Sequence, residues 1–224
     1  VLKGLFKALS DDSFIEKITL FAFPDTAIPP RLENRKNISI KKISRSFMQS
    51  ELALSNLTRQ GASIFISPYP KLPLFGCHCP SVNTVHDVID LAHVEYIKRY
   101  KVFFDRLRLR MALKKASLTW YVSAWSMKET LRLIGFSGRN PKVRYSGLDD
   151  RFSLKSNKKE VDVLRKYGLR SGYILVLGNG KPHKNLGVVL EISNRLSRRV
   201  VFVGVPEANR KRWKRLYPST KAVW

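Results

Sequence analysis

Tyr173-Ile174-Leu175-Val176-Leu177 followed by Gly178-Asn179-Gly180-Lys181-Pro182-His183-Lys184-Asn185 is the stretch on which the fold turns. The first five residues are an apolar, β-rich run that reads as a buried strand, and Leu186 to Leu196 places apolar residues at helical spacing. A strand therefore empties through a glycine turn into a helix whose first turn carries cations. Free backbone N–H groups at a helix N-terminus, with the helix dipole behind them, attract a phosphate, and Lys184 adds a full positive charge. The simplest ligand for such a nest is a diphosphate. The spacing is neither the Walker pattern nor the dinucleotide G-x-G-x-x-G, so an ordinary turn with a solvated lysine stands beside this reading.

Outward from that turn, strands and helices alternate. Residues 3 to 10 read as the end of a helix, and Lys17 to Phe23 as a strand closed by Pro24. After a loop through Pro30, Ile38 to Ile43 is a short strand, Phe47 to Thr58 a helix and Ala62 to Ile66 a strand ended by Ser67-Pro68. Ser81 to Val85 is the next strand, with His86-Asp87 at its end, and residues 93 to 116 read as a long basic helix. In that helix Tyr96, Tyr100, Phe103, Phe104, Leu107, Leu109 and Met111 are interleaved with Lys and Arg. It either covers a sheet with a cationic outer face or rests as an amphipathic helix on an anionic membrane. Leu118 to Val122, a Ser123 turn, a helix to about Ile134 and the strand Lys142 to Tyr145 follow. The alternation predicts an α/β chain: a Rossmann-like parallel sheet with helices on both faces, then the start of a second Rossmann-like domain.

The polar stretch after Asp150, with one short helical pattern from Lys158 to Tyr167, breaks the rhythm. It sets expected boundaries of residues 1–150 for a first domain, 151–171 for a linker and 172–224 for a partial second domain. That second part continues with a strand at Arg199 to Val203, a basic helix to Leu216 and a short strand at Lys221 to Trp224.

Composition narrows the function classes. At 44% hydrophobic residues the 224-residue chain has material for a core, so disorder is not expected. No run of 18 or more uncharged apolar residues occurs, and a cytoplasmic chain is expected, soluble or peripheral on the cytoplasmic face of the membrane. Cys77 and Cys79 flank His78 too closely to staple a fold of this size, and no further ligands at metal spacing accompany them, so reduced thiols and no metal are expected. Lys and Arg number 42 against 17 Asp and Glu, a net charge of +25, which calls for an anionic partner or surface. The charge is spread along the chain without a recognised nucleic-acid motif, so surface association fits it better than sequence-specific binding.

The order of these pieces resembles the family-4 glycosyltransferases, retaining enzymes of the GT-B architecture in which two Rossmann-like domains face each other across a cleft. The pieces are Ser67-Pro68 with Pro73; Thr84-Val85-His86-Asp87; the helix ending at Ala116; Tyr121-Val122-Ser123; Lys142-Val143-Arg144 with Ser146-Gly147-Leu148-Asp149 and Phe152; and Tyr173 to Asn185. Their colinear order over about residues 60 to 190 is the specific feature. The resemblance implies that Lys184 contacts the diphosphate of a nucleotide-sugar donor, with Gly178 and Asn179 letting the backbone approach and Ser123 as a further donor contact. It implies that His86 and Asp87 lie near the transferred sugar as the catalytic pair. It implies sugar transfer with retention to a glycan or lipid-linked acceptor, in polysaccharide, lipopolysaccharide or glycolipid synthesis, with no cofactor beyond the nucleotide-sugar substrate.

The chain departs from the pattern at Ser146, where the family has Asn. It also starts in the first helix, without the initial strand and its glycine-rich loop, and stops before the family's paired glutamates, which suggests a fragment of a longer enzyme. Two other readings stay open: a basic protein that binds nucleic acid or anionic surfaces through charge, and a noncatalytic glycosyltransferase-like fragment. Nucleic acid is the less expected partner, because no aromatic stacking motif accompanies the charge.

Overall fold

The computed structural model describes residues 2–93, 98–148 and 158–224. The chain divides into two compact units, 1–150 and 151–224. Asp149, Phe152, Tyr96 and the first part of the expected linker lie outside the described residues.

In the first unit, α1 (Leu2–Asp11) leads into β1 (Ile18–Ala22), α2 (Pro30–Glu33) and β2 (Ile38–Lys42), and β1 and β2 pair in parallel. Then come α3 (Phe47–Arg59), β3 (Phe65–Ser67), β4 (Ser81–Val85), α4 (Ile89–Ala92), α5 (Arg99–Lys115), β5 (Leu118–Tyr121), α6 (Ala124–Ile134) and β6 (Pro141–Val143). Strands β3 to β6 form one parallel sheet in sequential order. Strands β1 and β2 form a separate two-stranded sheet. This is a Rossmann-like α/β architecture, with every strand pair parallel and helices between the strands.

Register explains the core. Val85 pairs with Tyr121 and Asn83 with Thr119, so these four side chains share one face of the sheet. That face is buried against Leu109 and Leu113 of α5 and Ile134 of α6. Leu109, Ala112 and Leu113 recur at helical spacing, and Ala112 and Ala116 pack on Leu72 and Phe65, where small side chains let the helix approach closely. Glycine at 135, in the left-handed region at φ 78°, ends α6.

The second unit holds α7 (Lys158–Lys166), β7 (Ile174–Leu177), a 3₁₀ turn (Pro182–Lys184), α8 (Leu186–Ile192), β8 (Val200–Val203) and α9 (Glu207–Leu216). Strands β7 and β8 pair in parallel, and Leu186, Leu190, Val200, Phe202 and Val205 form the core with Trp213 and Trp224 packed on it. Trp224 stacks on Phe202 with ring centres 4.8 Å apart. Leu175 and Leu177 point the other way and are half or more exposed, although Val201 on that same face is buried.

Several boundaries differ from the sequence reading. The expected strand at 62–66 is displaced to 65–67, because pairing with β4 starts where the Phe65 amide donates to the Pro80 carbonyl at 2.9 Å. The long basic helix starts at Arg99, with the separate turn α4 before it. The expected strand at 142–145 ends at Val143, and the last segment makes a single bridge between Val223 and Val201 in place of a strand. No described helix is long and apolar enough to cross a membrane.

Candidate functional site

The residues singled out by sequence fall into two groups, one per unit. In the first unit, His86 and Asp87 follow β4, and Ser123 follows β5, at the carboxyl ends of adjacent parallel strands where open α/β sheets receive ligands. The structure brings these three residues together. His86 Nε2 lies 3.1 Å from the Pro68 carbonyl, which ties the loop after β4 to the loop after β3. A carbonyl can only accept, so Nε2 carries a proton in this contact and Nδ1 is the ring nitrogen left for another partner. Ser126 Oγ donates to the His86 carbonyl at 2.7 Å, so the first turn of α6 holds the same residue from the other side.

Ser123 caps α6: its Oγ accepts from the Ser126 amide at 3.0 Å and lies 2.9 Å from Ser126 Oγ. Asp87 is exposed, and its Oδ1 accepts from the Ile89 amide at 3.1 Å, which starts α4. Beside this junction is a cavity of about 190 Å³ lined by Asp87, Ile89, His93, Trp125, Ser126 and Glu129 among others. Its volume is below the roughly 300 Å³ at which ligand pockets usually begin, so by itself it holds a fragment of a ligand. Arg132 beside Glu129 holds that carboxyl below its ordinary value. Sequence reasoning missed Trp125 and Glu129. Their four-residue spacing on a helix that starts at Ser123 was the available signal, since it puts both on the face beside the cap.

In the second unit the glycine turn departs from its expected form. Lys184 does not lie in the first turn of a helix: it ends the 3₁₀ turn, and α8 starts only after Asn185, which sits at φ 45° and makes no side-chain cap bond. Pro182 fixes the tight turn, and the left-handed Asn185 separates it from the helix. The turn also consumes its own amides. Lys184 N donates to the Lys181 carbonyl at 3.0 Å, Asn185 N to the Pro182 carbonyl at 2.9 Å, and Lys181 N to Asn179 Oδ1 at 3.3 Å. Amides at the start of α8 are the donors that face no side-chain cap.

Gly178 is required by packing: a Cβ there would lie 2.8 Å from Leu186 Cδ1. Gly180 is required by backbone, at φ 77°, and by Asn209, whose Nδ2 would meet a Cβ at 2.7 Å. Lys181 and Lys184 are exposed and make no ion pair among the described residues. Cys77 and Cys79 are free thiols, and burial together with the neighbouring Cys77 pushes Cys79 up to about 11. Among the described residues no group of three His, Cys, Asp or Glu could hold a metal ion.

No protein-family model matches the sequence, and no curated protein matches it. Among solved structures, the fold is similar to that of HepE from Anabaena, crystallised in complex with UDP and glucose, with a TM-score of 0.66 at 14% sequence identity. The match covers 96% of this chain and 60% of HepE, so the chain spans less than two thirds of that protein's length. At this identity the likeness is one of fold.

Proposed function

We propose that this chain is part of a glycosyltransferase that moves a sugar from a nucleotide-sugar donor to an acceptor hydroxyl. One observation carries the reading: 96% of the chain, through both units, follows the fold of a protein crystallised with UDP and glucose. The chain adds strand ends in each unit that suit the two halves of that reaction.

In this reading the second unit takes the donor. Gly178, closed against Leu186, and Asn179 shape the turn, the uncapped amides at the start of α8 serve the diphosphate, and Lys184 neutralises the charge that develops as the nucleoside diphosphate departs. The first unit takes the acceptor. His86, held by Pro68 and Ser126, presents its free ring nitrogen to a sugar hydroxyl, Asp87 supplies a charge beside it, and Ser123, as the cap of α6, fixes the turn that holds them. Catalysis is then positioning plus electrostatic stabilisation without a metal. Attack on the same face of the ring as the departing group gives retention, and the product belongs to a polysaccharide, lipopolysaccharide or glycolipid.

Isothermal titration with nucleoside diphosphates and nucleotide sugars tests the proposal. Binding is expected for one nucleotide family, and Lys184→Ala should weaken it about tenfold, the loss of roughly 1.4 kcal/mol of charge-assisted hydrogen bonding. Absence of binding to every nucleoside diphosphate and nucleotide sugar sinks it.

A further inference from the structure

Helix α5 (Arg99–Lys115) has two apolar faces, and only one of them is used by the fold. Leu109, Ala112 and Leu113 are buried on the sheet side. On the opposite side Tyr100, Phe103, Phe104 and Leu107 recur at i, i+3, i+4 and i+7, and they are 64%, 64%, 58% and 45% exposed. Half-buried Met111 continues the stripe, which runs about 16 Å along the axis at 1.5 Å per residue. Large apolar side chains gathered on one exposed stripe mark an interaction surface, whereas scattered ones do not.

Charge decides what the stripe fits. Arg99 and Arg110 lie along one edge, Arg108 and Lys115 along the other, and Lys114 closes the C-terminal end of the stripe. Arg108 is engaged, bonded to Glu51 and 5.3 Å from the Phe47 ring, and through it the surface continues onto the exposed Phe47 at the start of α3 (Phe47–Arg59). Arg99, Arg110, Lys114 and Lys115 form no ion pair among the described residues. A second copy of the same face would bring these cations against each other, which disfavours self-association. A single-stranded nucleic acid would stack on separate rings in a polar groove, and it has no use for a stripe that includes Leu107 and Met111. An anionic bilayer satisfies both features: the headgroups meet the two cationic edges while the apolar stripe enters the acyl boundary.

We propose that the outward stripe of α5 docks the first unit onto an anionic lipid surface, with the helix lying in the plane of the membrane. The proposal stands independently of sugar transfer.

Vesicle sedimentation of the whole chain is the test. It should bind phosphatidylglycerol-containing vesicles and not pure phosphatidylcholine, and the combined Phe103→Ser, Phe104→Ser and Leu107→Ser variant should bind at least about tenfold more weakly at equal net charge. Circular dichroism checks that the variant is folded. Leu107→Trp gives a second measurement that keeps the fold: its added fluorescence should shift to the blue on anionic vesicles and be quenched by brominated acyl chains. Equal vesicle binding by wild type and the triple variant, no quenching of the fluorescence that Leu107→Trp adds, or binding to single-stranded RNA without binding to vesicles would each overturn the proposal.

Discussion

Two strand-to-helix turns occupy equivalent places in their units: Ser123 between β5 and α6, and Gly178 to Asn185 between β7 and α8. At the first, a serine hydroxyl closes the helix N-terminus, and the same helix turn grips the His86 carbonyl. At the second, the amides of Lys181, Lys184 and Asn185 bond within the loop, Asn185 takes a left-handed conformation, and α8 starts without a side-chain cap. The difference separates a turn closed by its own side chains from one that matches the proposed donor site. A capped turn spends its donors on the fold and fixes neighbouring groups, while an uncapped helix start leaves its first amides without a side-chain partner, which the proposed diphosphate contact requires.

The largest expected effect concerns what lies beneath the capped turn. Tyr121, the last residue of β5, is fully buried and donates its hydroxyl to the Ser137 carbonyl at 2.8 Å. Burial pushes its phenol up to about 12, from the ordinary value of 10.0. The folded state therefore holds this proton more tightly than the unfolded chain does. Stability from this group is fully present below pH 10.0 and falls as pH rises toward about 12. About 2–3 kcal/mol should be lost across that window, at roughly 1.4 kcal/mol per pH unit. Urea unfolding followed over alkaline pH, wild type against Tyr121→Phe, measures it. If the two proteins lose stability in parallel, the turn does not rest on a buried phenol.

A crossed pair of substitutions comes next in size. Ser123→Ala should cost about 1 kcal/mol of stability through the lost cap and leave nucleotide affinity within about twofold. Lys184→Ala should do the reverse, leaving unfolding unchanged while binding weakens. Denaturant midpoints and titration calorimetry on the same two proteins read both outcomes. If Ser123→Ala lowered nucleotide affinity as much as Lys184→Ala, the two turns would no longer be separable.

The sequence predicts this layout unevenly, for physical reasons. Apolar periodicity and the glycine and proline stops locate β1, β2, β4, β5, β7 and most helices, since those signals are local. What depends on pairing across the chain is not local. The start of β3 at Phe65 depends on Pro80, and the end of α8 at Ile192 follows from Ser193, whose hydroxyl turns back to the Leu190 carbonyl and reaches Thr220. Similarly, Gly178, His86 and Ser123 are visible as strand-end residues, but the bonds that fix His86 come from residues 18 and 40 positions away. The outward stripe of α5 was half legible. Its aromatics are plain in the sequence, yet a helix apolar on two opposite sides shows no single periodic face, and only packing tells which side is used.

The smallest expected effect tests the one residue that both turns leave ambiguous. Asp87 sits beside His86, but its carboxylate is exposed and already accepts the Ile89 amide that starts α4. Asn keeps an acceptor oxygen at the same position, so Asp87→Asn preserves that bond and removes only the charge. A stability change within about 0.5 kcal/mol is expected, as for other surface substitutions away from the core. Asp87→Ala should lose somewhat more, because the bond itself goes. A charge that acts on the sugar would show in donor turnover, measured as release of nucleoside diphosphate, with Asn as impaired as Ala. Rescue by Asn of whatever Ala loses would instead make Asp87 a part of the scaffold, like Ser123, and leave His86 as the one member of the pair still proposed to contact the sugar.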